Sequence, residues 1–488
     1  MTENNFDYLL ACPSDPIEII EHHAKRTPLE LAMRHPRGNY TYQALLAGID
    51  KVAGEFHKAG LRQGETAAVQ MEDYFVALMS ALALSRLGCI CIFKLVENQK
   101  SQVNVKALIT KGGSDLTGIP QVEFQDSWLA HGQNQVPAVE FKKGFLSTDS
   151  LAIYTLSSGS TGRPKIISST WGRLHKTVID SLLHKHHKPW FSPCLVSLGF
   201  GTLWGYRQML TILWTGGTLV FGNVHVSTAS HFKALGIRHL AASIAQLTFW
   251  AKLARDNPHF FNSVEVVTTG GARLSPKLAE LVRRNICREI YINYGSTETG
   301  LIAAGNADIL ETHPDAVGMV LGTATVEIID ENGNVLPCGQ TGSVRVRTGA
   351  MSADTGTKSD GQRWFLTGDS GALSENGILS IFGRNDGVIN LDGVKIRFED
   401  GEQLLSECPG VADVALFAVP NGIGLSELYC AYVPEKGYDD DLFTEGLRKL
   451  PKISATLELT VIPRGGNGKV LRHELVSIYL DMKEKHNL

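Results

Sequence analysis

The feature that most constrains the fold is an alternation of short β-branched runs with helical-period segments between about residues 17 and 300. One example is AAVQM at 67–71, which is followed by the Ala- and Leu-rich segment FVALMSALALSRLG. Another is VEVVTTGG at 264–271, which is followed by SPKLAELVRR. Strands that alternate with helices form parallel sheets covered by those helices. We therefore predict an α/β fold built on helix-covered, parallel-type sheets.

The pattern changes twice towards the C-terminus. From about 315 to 383, short strands at close spacing, separated by Gly and Asn, indicate an antiparallel β subdomain. The rest of the chain mixes strands with helical segments such as EDGEQLLSEC and DLFTEGLRKL, which is typical of a small α+β domain. The Gly-Arg-Asn-Asp stretch at 383–386 is the predicted linker. The predicted domains are therefore residues 1–383 and residues 384–488.

Charge and cysteine content argue against several classes of protein. The 46 Lys and Arg residues against 50 Asp and Glu residues give a net charge of −4, which leaves no basic excess for binding nucleic acid or anionic membranes. The eight scattered cysteines form no CxxC pair, so neither a zinc site nor a disulfide framework is indicated. The N-terminus lacks the basic start of a signal peptide, and no stretch approaches about 18 apolar residues. We expect a cytoplasmic protein without a membrane span.

The segment LAIYTLSSGSTGRPK at 151–165 has the composition of a phosphate-binding loop. Small residues allow backbone N–H groups to approach a phosphate chain, hydroxyl groups donate further hydrogen bonds, and a lysine adds charge. The segment is not a Walker A loop, because Arg163 and Pro164 separate Gly162 from Lys165. Taken alone, such a loop is more often only a flexible turn.

The second motif is EIYINYGSTETG at 289–300, where a strand delivers polar residues at its C-terminal end. Loops that follow parallel strands are where folds of this class bind ligands. There, Tyr294 offers a flat face to a base, Thr297 a hydroxyl to a phosphate and Glu298 an oxygen ligand to Mg²⁺. The alternative is a solvated turn with a helix cap, since Ser or Thr followed by Glu resembles a capping box.

The third and fourth motifs lie nearer the C-terminus. In the segment 365–396, Asp369 lies between two short strands and is suited to accept both hydroxyls of a ribose, while Arg384 can reach the same ribose or a phosphate. The alternative is a hairpin whose Asp and Gly residues serve only the turns. In PRGGNGKVLR at 463–472, Lys469 lies on a Gly-rich loop, and by itself it would be an ordinary surface lysine.

In this order and spacing, the four motifs resemble the AMP-forming adenylating superfamily of acyl-CoA synthetases, peptide synthetase adenylation domains and luciferases. The resemblance covers nearly the whole chain, with weaker matches at 39–65 and 81–92. It implies a large N-terminal domain of two helix-covered sheets plus the β subdomain, and a small, mobile C-terminal domain. It also implies ATP and Mg²⁺ as cofactors, a small carboxylic acid as substrate, and CoA or a phosphopantetheinyl carrier protein as acceptor.

The resemblance assigns roles to residues of all four motifs. The residues implied to grip the β- and γ-phosphates of ATP are Ser158, Gly159, Ser160, Thr161, Gly162 and Lys165. Those implied to contact adenine, phosphate and Mg²⁺ are Gly271, Tyr294, Gly295, Thr297 and Glu298, with Glu298 as the metal ligand. Asp369 and Arg384 are implied to hold the ribose. Lys469 is implied to bridge the substrate carboxylate and the α-phosphate, and with Thr297 and Glu298 it forms the implied catalytic set.

The implied acid pocket departs from the family pattern. Its residues are Phe200, Gly201, Trp204 and Gly270, and the segment SLGFGTLWGYRQML at 197–210 lacks the family's usual aromatic-His pair. Amino-acid-activating members place an Asp at the start of the pocket helix, because a buried ammonium group needs a partner. Gly201 falls at that place. We therefore predict an acid without an α-amine, such as an aryl or short-to-medium acyl acid.

Two alternative functions stay open from the sequence. One is a free-standing amino-acid adenylation enzyme. The other is a catalytically silent nucleotide-binding relative, and the intact Lys469, Glu298 and Asp369 argue against it. The resemblance also places Asp386, two residues after Arg384, at the hinge about which the C-terminal domain turns.

Overall fold

The computed structural model describes most of the chain. The described residues are 15–36, 38–129, 147–157, 165–184, 193–222, 232, 235–359, 361–384, 388–391, 394–420, 426–465 and 468–486.

These residues form ten α-helices. The helices are α1 (Pro16–Arg26), α2 (Tyr42–Lys58), α3 (Tyr74–Leu87), α4 (Trp171–His184), α5 (Leu203–Trp214), α6 (Ile244–Asp256), α7 (Pro276–Asn285), α8 (Phe398–Ser406), α9 (Asp440–Arg448) and α10 (Arg472–His486). None of the ten combines the length and the apolar composition that crossing a lipid bilayer requires.

The strands fall into two groups along the chain. The first group is β1 (Leu31–His35), β2 (Gly38–Thr41), β3 (Thr66–Gln70), β4 (Ile90–Phe93), β5 (Val105–Thr110), β6 (Gln121–Glu123), β7 (Leu151–Ser157), β8 (Lys165–Thr170), β9 (Cys194–Val196), β10 (Leu219–Val220), β11 (His239–Ser243), β12 (Val266–Gly270), β13 (Glu289–Ser296) and β14 (Gly300–Asn306). The second group is β15 (Ala316–Val320), β16 (Ala324–Ile329), β17 (Gly342–Thr348), β18 (Thr357–Ser359), β19 (Gln362–Leu373), β20 (Ile378–Arg384), β21 (Val388–Leu391), β22 (Val394–Arg397), β23 (Val411–Pro420), β24 (Ser426–Pro434) and β25 (Ile453–Glu458).

Local sequence signals fix the ends of the helices that follow the strands. Before α3, the Asp73 carboxylate accepts hydrogen bonds from the backbone N–H groups of Phe75 and Val76, which caps the helix N-terminus. After α3, Gly88 has φ 70° and ψ 25°, the left-handed conformation that glycine adopts without strain. At the start of α6, Ser243 and Gln246 form a capping box. Each helix therefore begins close to the carboxyl end of its preceding strand.

The chain separates into two compact units. The first contains residues 1–159, 163–326 and 346–365, and the second contains residues 160–162, 327–345 and 366–488. The domain boundary predicted at residues 383 and 384 stays a prediction.

The first unit contains two sheets. In the larger sheet the order is β15-β14-β13-β12-β11-β9-β10-β1-β2. The six strands from β13 to β1 in that order are parallel, and β14, β15 and β2 add antiparallel pairings at the two ends. The smaller sheet has the order β6-β5-β3-β4-β7-β8 and is parallel except for the last pair.

Helices cover these sheets as the alternating pattern predicts. One cluster of buried side chains joins α1 to α5 with strands of both sheets, and its members include Tyr42, Val69, Phe75, Cys194 and Met209. α3 is buried on nearly all sides, because its sequence is apolar all round. The predicted α/β fold with two helix-covered, parallel-type sheets is therefore confirmed.

The second unit contains the C-terminal elements. β21 and β22 form a hairpin, and β23-β24-β25 form a three-stranded sheet. α8 and α9 contribute Phe398, Leu405 and Phe443 to one core cluster of this sheet, and α10 contributes Leu475 to another. The order β16-β17-β19-β20 corresponds to the strands predicted from about 315 to 383. The predicted α+β character of the C-terminal region is confirmed.

Candidate active site

The second motif forms the turn between β13 and β14. β13 is parallel to β12, and it pairs with β14 in antiparallel register, with Ser296 opposite Gly300. The ladder is irregular between Tyr294 and Gly295, and pairing continues through Ser296. Because β14 and not a helix follows this turn, the helix-cap interpretation of the motif is wrong. The turn lies at the carboxyl ends of β12 and β13, where open α/β sheets bind ligands.

The main chain of residues 297–299 is held by hydrogen bonds to its carbonyl groups. The Ser352 backbone N–H donates to the carbonyl of Glu298 at 2.8 Å. The Thr348 hydroxyl donates to the carbonyl of Thr299. The side chains at 297 and 298 are half-buried. Contacts to the backbone thus fix the course of the turn, whichever side chains it carries at these two positions.

Arg173, in the first turn of α4, is the buried cation behind the turn. It is only 7% exposed. Its Nη2 donates to the Thr297 carbonyl, and its Nε donates to the Ala350 carbonyl at 2.6 Å. Its Nη1 donates to the Ser169 hydroxyl and to the Ser168 carbonyl. One guanidinium therefore joins the β13–β14 turn, the segment after β17 and the end of β8.

The charge of Arg173 is balanced by two carboxylates. Burial lowers the pKa of its guanidinium to about 10, and the carboxylates of Glu298 and Asp354 favour the charged form. The guanidinium is accordingly protonated at neutral pH. Asp354 also accepts hydrogen bonds from the backbone N–H of Ser168, at 3.3 Å, and from its hydroxyl. Glu298 thus lies in the field of a fixed, buried positive charge.

Three glycines of the predicted site lie where a side chain would clash with the backbone or would need a left-handed backbone conformation. A β-carbon on Gly270 would lie 2.3 Å from the Asn293 carbonyl oxygen, and one on Gly295 would lie 2.1 Å from that of Gly300. Both separations are shorter than real β-carbon contacts. Gly271 has φ 80°, in the left-handed region. Close packing of β12, β13 and β14 accounts for glycine at these positions, and their roles in nucleotide binding stay predictions.

The first motif joins β7 to β8. The two strands pair in antiparallel register, with Ser157 opposite Lys165, and Lys165 is exposed. The remaining predicted phosphate-binding residues lie outside the described residues. They are Ser158, Gly159, Ser160, Thr161 and Gly162.

The predicted acid-pocket residues divide into two groups. Trp204 reaches the end of β12, since a β-carbon on Gly270 would lie 3.3 Å from its Cη2 atom. Phe200 is buried against Phe93, with ring centroids 4.3 Å apart. Gly201 follows Phe200 in the chain, ahead of α5. The structure therefore brings Trp204 and Gly270 together and gives Phe200 different neighbours.

The third motif lies in the antiparallel pair β19 and β20. Asp369 is directly opposite Arg384 in the register of the two strands, and the predicted ribose role of the pair stays a prediction. The backbone N–H of Asp369 donates to the Thr367 hydroxyl at 3.0 Å. The predicted hinge residue Asp386 lies outside the described residues, in the gap 385–387.

The fourth motif forms a tight turn in the second unit. The Gly468 N–H donates to the Gly465 carbonyl at 2.8 Å, and the Gly465 N–H donates to the Lys469 carbonyl at 2.9 Å. Arg464 donates to the carbonyl of Gly468 at 2.8 Å and pairs with Asp413 at 2.7 Å. Lys469 is exposed. The backbone of this lysine is therefore fixed, while its side chain is presented to solvent.

The sequence motifs missed the two residues that organise the first unit's turn, Arg173 and Asp354. Both lie outside the four motifs, and the contacts that tie them to distant parts of the fold span 124 to 186 residues along the chain. The only signal available was a charged residue in the first turn of a helix with an apolar face. That signal does not identify a buried residue, because arginine is usually exposed.

Comparison with known proteins places this geometry in a family. The sequence profile described as "AMP-binding enzyme" matches residues 20–353. The chain is 28% identical to rat (Rattus norvegicus) mitochondrial acyl-coenzyme A synthetase ACSM4 over 61% of its length, which spans 54% of that relative. It is 23% identical to the vibriobactin-specific 2,3-dihydroxybenzoate-AMP ligase of Vibrio cholerae, covering 86% of this chain and 83% of that one. It is 24% identical to enterobactin synthase component E of Escherichia coli, covering 81% of each.

Solved structures agree with the fold. O-succinylbenzoate coenzyme A synthetase (MenE) from Bacillus subtilis, in complex with ATP and magnesium ion, superposes with a TM-score of 0.79 at 19% identity and covers 94% of this chain and 98% of that chain. ATP-bound MatB from Rhodopseudomonas palustris superposes with a TM-score of 0.81 at 20% identity and covers 96% of this chain and 100% of that chain. With a profile match over residues 20–353 and this fold, the chain belongs to the AMP-binding enzyme family.

Proposed function

We propose that the protein uses ATP to convert a carboxylic acid into an acyl-adenylate with release of pyrophosphate, and then transfers the acyl group to a thiol of CoA or of a carrier-protein phosphopantetheine. The observation that carries this proposal is the β13–β14 turn. It presents a half-buried Glu298 carboxylate and the Thr297 hydroxyl at the carboxyl end of a parallel strand, beside the buried charge of Arg173.

The residues of the turn fit Mg²⁺. This ion is usually held by one or two carboxylates together with substrate phosphates, and not by an all-protein cage. Glu298, half-buried in the β13–β14 turn, is the metal-binding carboxylate in this proposal. Bound Mg²⁺ neutralises phosphate charge.

The nucleotide is held by residues from several elements. The phosphate-binding loop that ends at Lys165 grips the β- and γ-phosphates. Tyr294 stacks on adenine, and Asp369 with Arg384 holds the ribose hydroxyls. A carboxylate accepts hydrogen bonds from two hydroxyl groups at once, and an arginine adds a planar set of donors.

The adenylation step needs alignment and charge neutralisation. The acid carboxylate attacks the α-phosphorus, the bond from this phosphorus to the β-phosphate oxygen breaks, and pyrophosphate leaves. Both reactants are anions, so Lys469 lowers the barrier by bridging the carboxylate and the α-phosphate. The thiol then attacks the acyl carbon and AMP leaves. Neither step requires a covalent bond to the protein.

The substrate of this proposal has no α-amine. Thr202 caps the N-terminus of α5, and the first turn of that helix contains no acidic residue. An ammonium group at this place would be buried without a carboxylate partner, which is costly. Gly201, where amino-acid-activating relatives carry their Asp, gives none.

The deciding experiment is ATP–pyrophosphate exchange with a panel of aryl, short-chain and medium-chain acids and all proteinogenic amino acids. We expect exchange with at least one acid from the first three groups to exceed that with every amino acid. Thioester formation is then measured with CoA and with candidate carrier proteins. Strong exchange with an amino acid above all other acids would establish the amino-acid alternative. Nucleotide binding without any exchange would establish the silent relative.

A second prediction concerns the proposed hinge at Asp386. Lys469 must be present for adenylation and withdraw for thiol attack, so a domain rotation separates the two half-reactions. Proline fixes φ and restricts the preceding residue. We therefore expect Asp386→Pro to bias the hinge towards one of its two arrangements. If the adenylating arrangement is the one retained, pyrophosphate exchange survives while thioester formation falls steeply. The ratio of the two rates in one preparation is the measurement, and an equal, small change in both would show that this residue is not the hinge.

Cytoplasmic location is also part of the proposal. None of the seven cysteines in the described parts of the chain is joined in a disulfide, and five of them are buried. Free thiols are typical of proteins in reducing compartments.

A further inference from the structure

Helix α5 carries an unusual polar face for a buried helix. Trp204, Arg207, Gln208 and Thr211 are spaced i, i+3, i+4 and i+7, so they share one side of the helix. Arg207 is 5% exposed and Gln208 is 1% exposed. A helix buried to this extent normally carries apolar side chains here, because buried polar groups need hydrogen-bond partners.

Most polar atoms of this face lack such partners. Four buried atoms have no hydrogen-bond partner among the described residues: Trp204 Nε1, Arg207 Nε, and both Nε2 and Oε1 of Gln208. Thr211 differs, since its hydroxyl donates to the Arg207 carbonyl at 2.8 Å. Three of the four unpartnered atoms are hydrogen-bond donors. The face therefore presents a concentration of unused donors.

The face begins at the predicted acid pocket and extends away from it. Trp204 contacts the position of Gly270, at the end of β12. Arg207 and Gln208 lie about one helical turn, roughly 5 Å, further along α5. An acid whose carboxylate lies near the end of β12 would thus direct its other end towards Arg207 and Gln208.

The charge of Arg207 is already opposed from α4. The Asp180 carboxylate favours the charged form of Arg207, while burial lowers the pKa of the Arg207 guanidinium to about 10. Asp180 itself accepts a hydrogen bond from Thr323. Exposed Lys176 adds a positive charge that also acts on Asp180. Asp180 thus opposes the charge of Arg207. The Arg207 Nε–H, the Gln208 amide and the Trp204 N–H still have no acceptor among the described residues.

We propose that the acid activated by this protein carries a second oxygen-bearing group, a hydroxyl or a carboxylate, which accepts hydrogen bonds from Arg207 and Gln208. This inference rests on the proposed acid-activating function and specifies its substrate class. A purely apolar acid leaves these donors unpaired in the complex, and a site built to hydrogen-bond an oxygen discriminates strongly against analogues that lack it.

The test uses pairs of acids that differ only in this group. Hydroxybenzoates are compared with the corresponding methylbenzoates, and short dicarboxylic acids with monocarboxylic acids of equal length. Each acid is assayed by pyrophosphate exchange and, without turnover, by calorimetric binding to the full-length protein. We expect the oxygen-bearing member of at least one pair to bind and exchange at least about tenfold better. A preference within the benzoate pairs would identify the second group as a hydroxyl. A preference within the dicarboxylic-acid pairs would identify it as a carboxylate.

Two variants connect the preference to the helix. Gln208→Leu and Arg207→Met should each reduce the preference at least about tenfold. Gln208→Leu should fold at least as stably as the wild type, because its amide has no partner among the described residues to lose. Thr211→Val is the matched control. Its hydroxyl lies on the same face but is paired within the helix, so the preference should persist.

The outcomes separate this inference from the proposed function. Equal or better binding and exchange by the apolar member of every pair would overturn the inference and leave acid activation standing. An oxygen preference that survives Gln208→Leu and Arg207→Met would overturn the assignment of these residues. Gln208→Leu that raises the melting temperature without changing the preference would show that the face serves only buried water. Absence of exchange with every acid would overturn the proposed function itself.

Discussion

We expect Lys469→Ala to lower acid-dependent pyrophosphate exchange about a thousandfold while the melting temperature hardly moves. In the proposed function, Lys469 supplies the positive charge that bridges two anions in the transition state, and single electrostatic contacts of this kind contribute about 10²–10³ in rate. The stability expectation follows from the structure. The turn is held by backbone hydrogen bonds and by Arg464, and the Lys469 side chain is exposed.

A matched control is Lys436→Ala. Lys436 is also an exposed lysine in a turn of the second unit, and it lies outside all four motifs. Exchange in this variant should match the wild type. Near-normal exchange in Lys469→Ala would remove the assigned role, and a large fall in its melting temperature would make the lysine structural.

The second large effect is expected for Arg173→Met. This substitution leaves the carbonyl groups of Thr297 and Ala350 without their charged donor and removes the cation between Glu298 and Asp354. Breaking a buried charged network typically destabilises a protein by about 3–5 kcal/mol. We therefore expect a lower melting temperature. In the fraction that stays folded we also expect slower exchange, with more Mg²⁺ needed for half-maximal rate, because the turn that carries the proposed metal ligand Glu298 loses one of the contacts that hold it.

The Mg²⁺ dependence separates positioning from stability. Arg238→Met is the matched control, since Arg238 makes a two-point ion pair with Glu265 at the surface, with both side chains nearly half exposed. Such pairs contribute little, so this variant should change neither property. Arg173→Lys keeps the charge but not the forked geometry, and it should restore only part of the Mg²⁺ response. An unchanged Mg²⁺ response in Arg173→Met would limit Arg173 to a role in stability.

The fold could be predicted because local pattern and tertiary structure agree. The apolar run of α3 follows the β-branched run of β3, with Asp73 and Gly88 marking the helix ends. Such agreement between neighbouring signals is what makes a sequence foldable. The pairing of Asp369 with Arg384 could also be predicted from the sequence, because the two residues lie on consecutive strands of one hairpin. What the pattern could not supply was the order of strands in each sheet, since periodicity carries no information on long-range partners.

Residues of the candidate site could be predicted only where a short motif contains the side chains that the proposed chemistry needs. Thr297 and Glu298 were predicted in this way, and their roles stay predictions. Arg173 was not, because its role depends on carbonyl groups brought to it by folding. The polar face of α5 was missed for a related reason. Arg207 and Gln208 in a sequence indicate an exposed surface, and only their burial turns them into unpaired donors.

The backbone anchoring of the β13–β14 turn has a consequence for how this protein can change over evolution. Hydrogen bonds to the carbonyl groups of residues 297–299 hold the turn, and these bonds do not depend on which side chains occupy positions 297 and 298. In the proposed function, a single codon change at Glu298 would remove the metal-binding carboxylate, while the hydrogen bonds to the turn's carbonyl groups would remain and Asp354 would still oppose the charge of Arg173. Such variants would keep the backbone contacts of the turn and would be open to selection for binding alone. At this turn, the side chains that the proposed reaction needs can change while the hydrogen bonds that hold the backbone are kept.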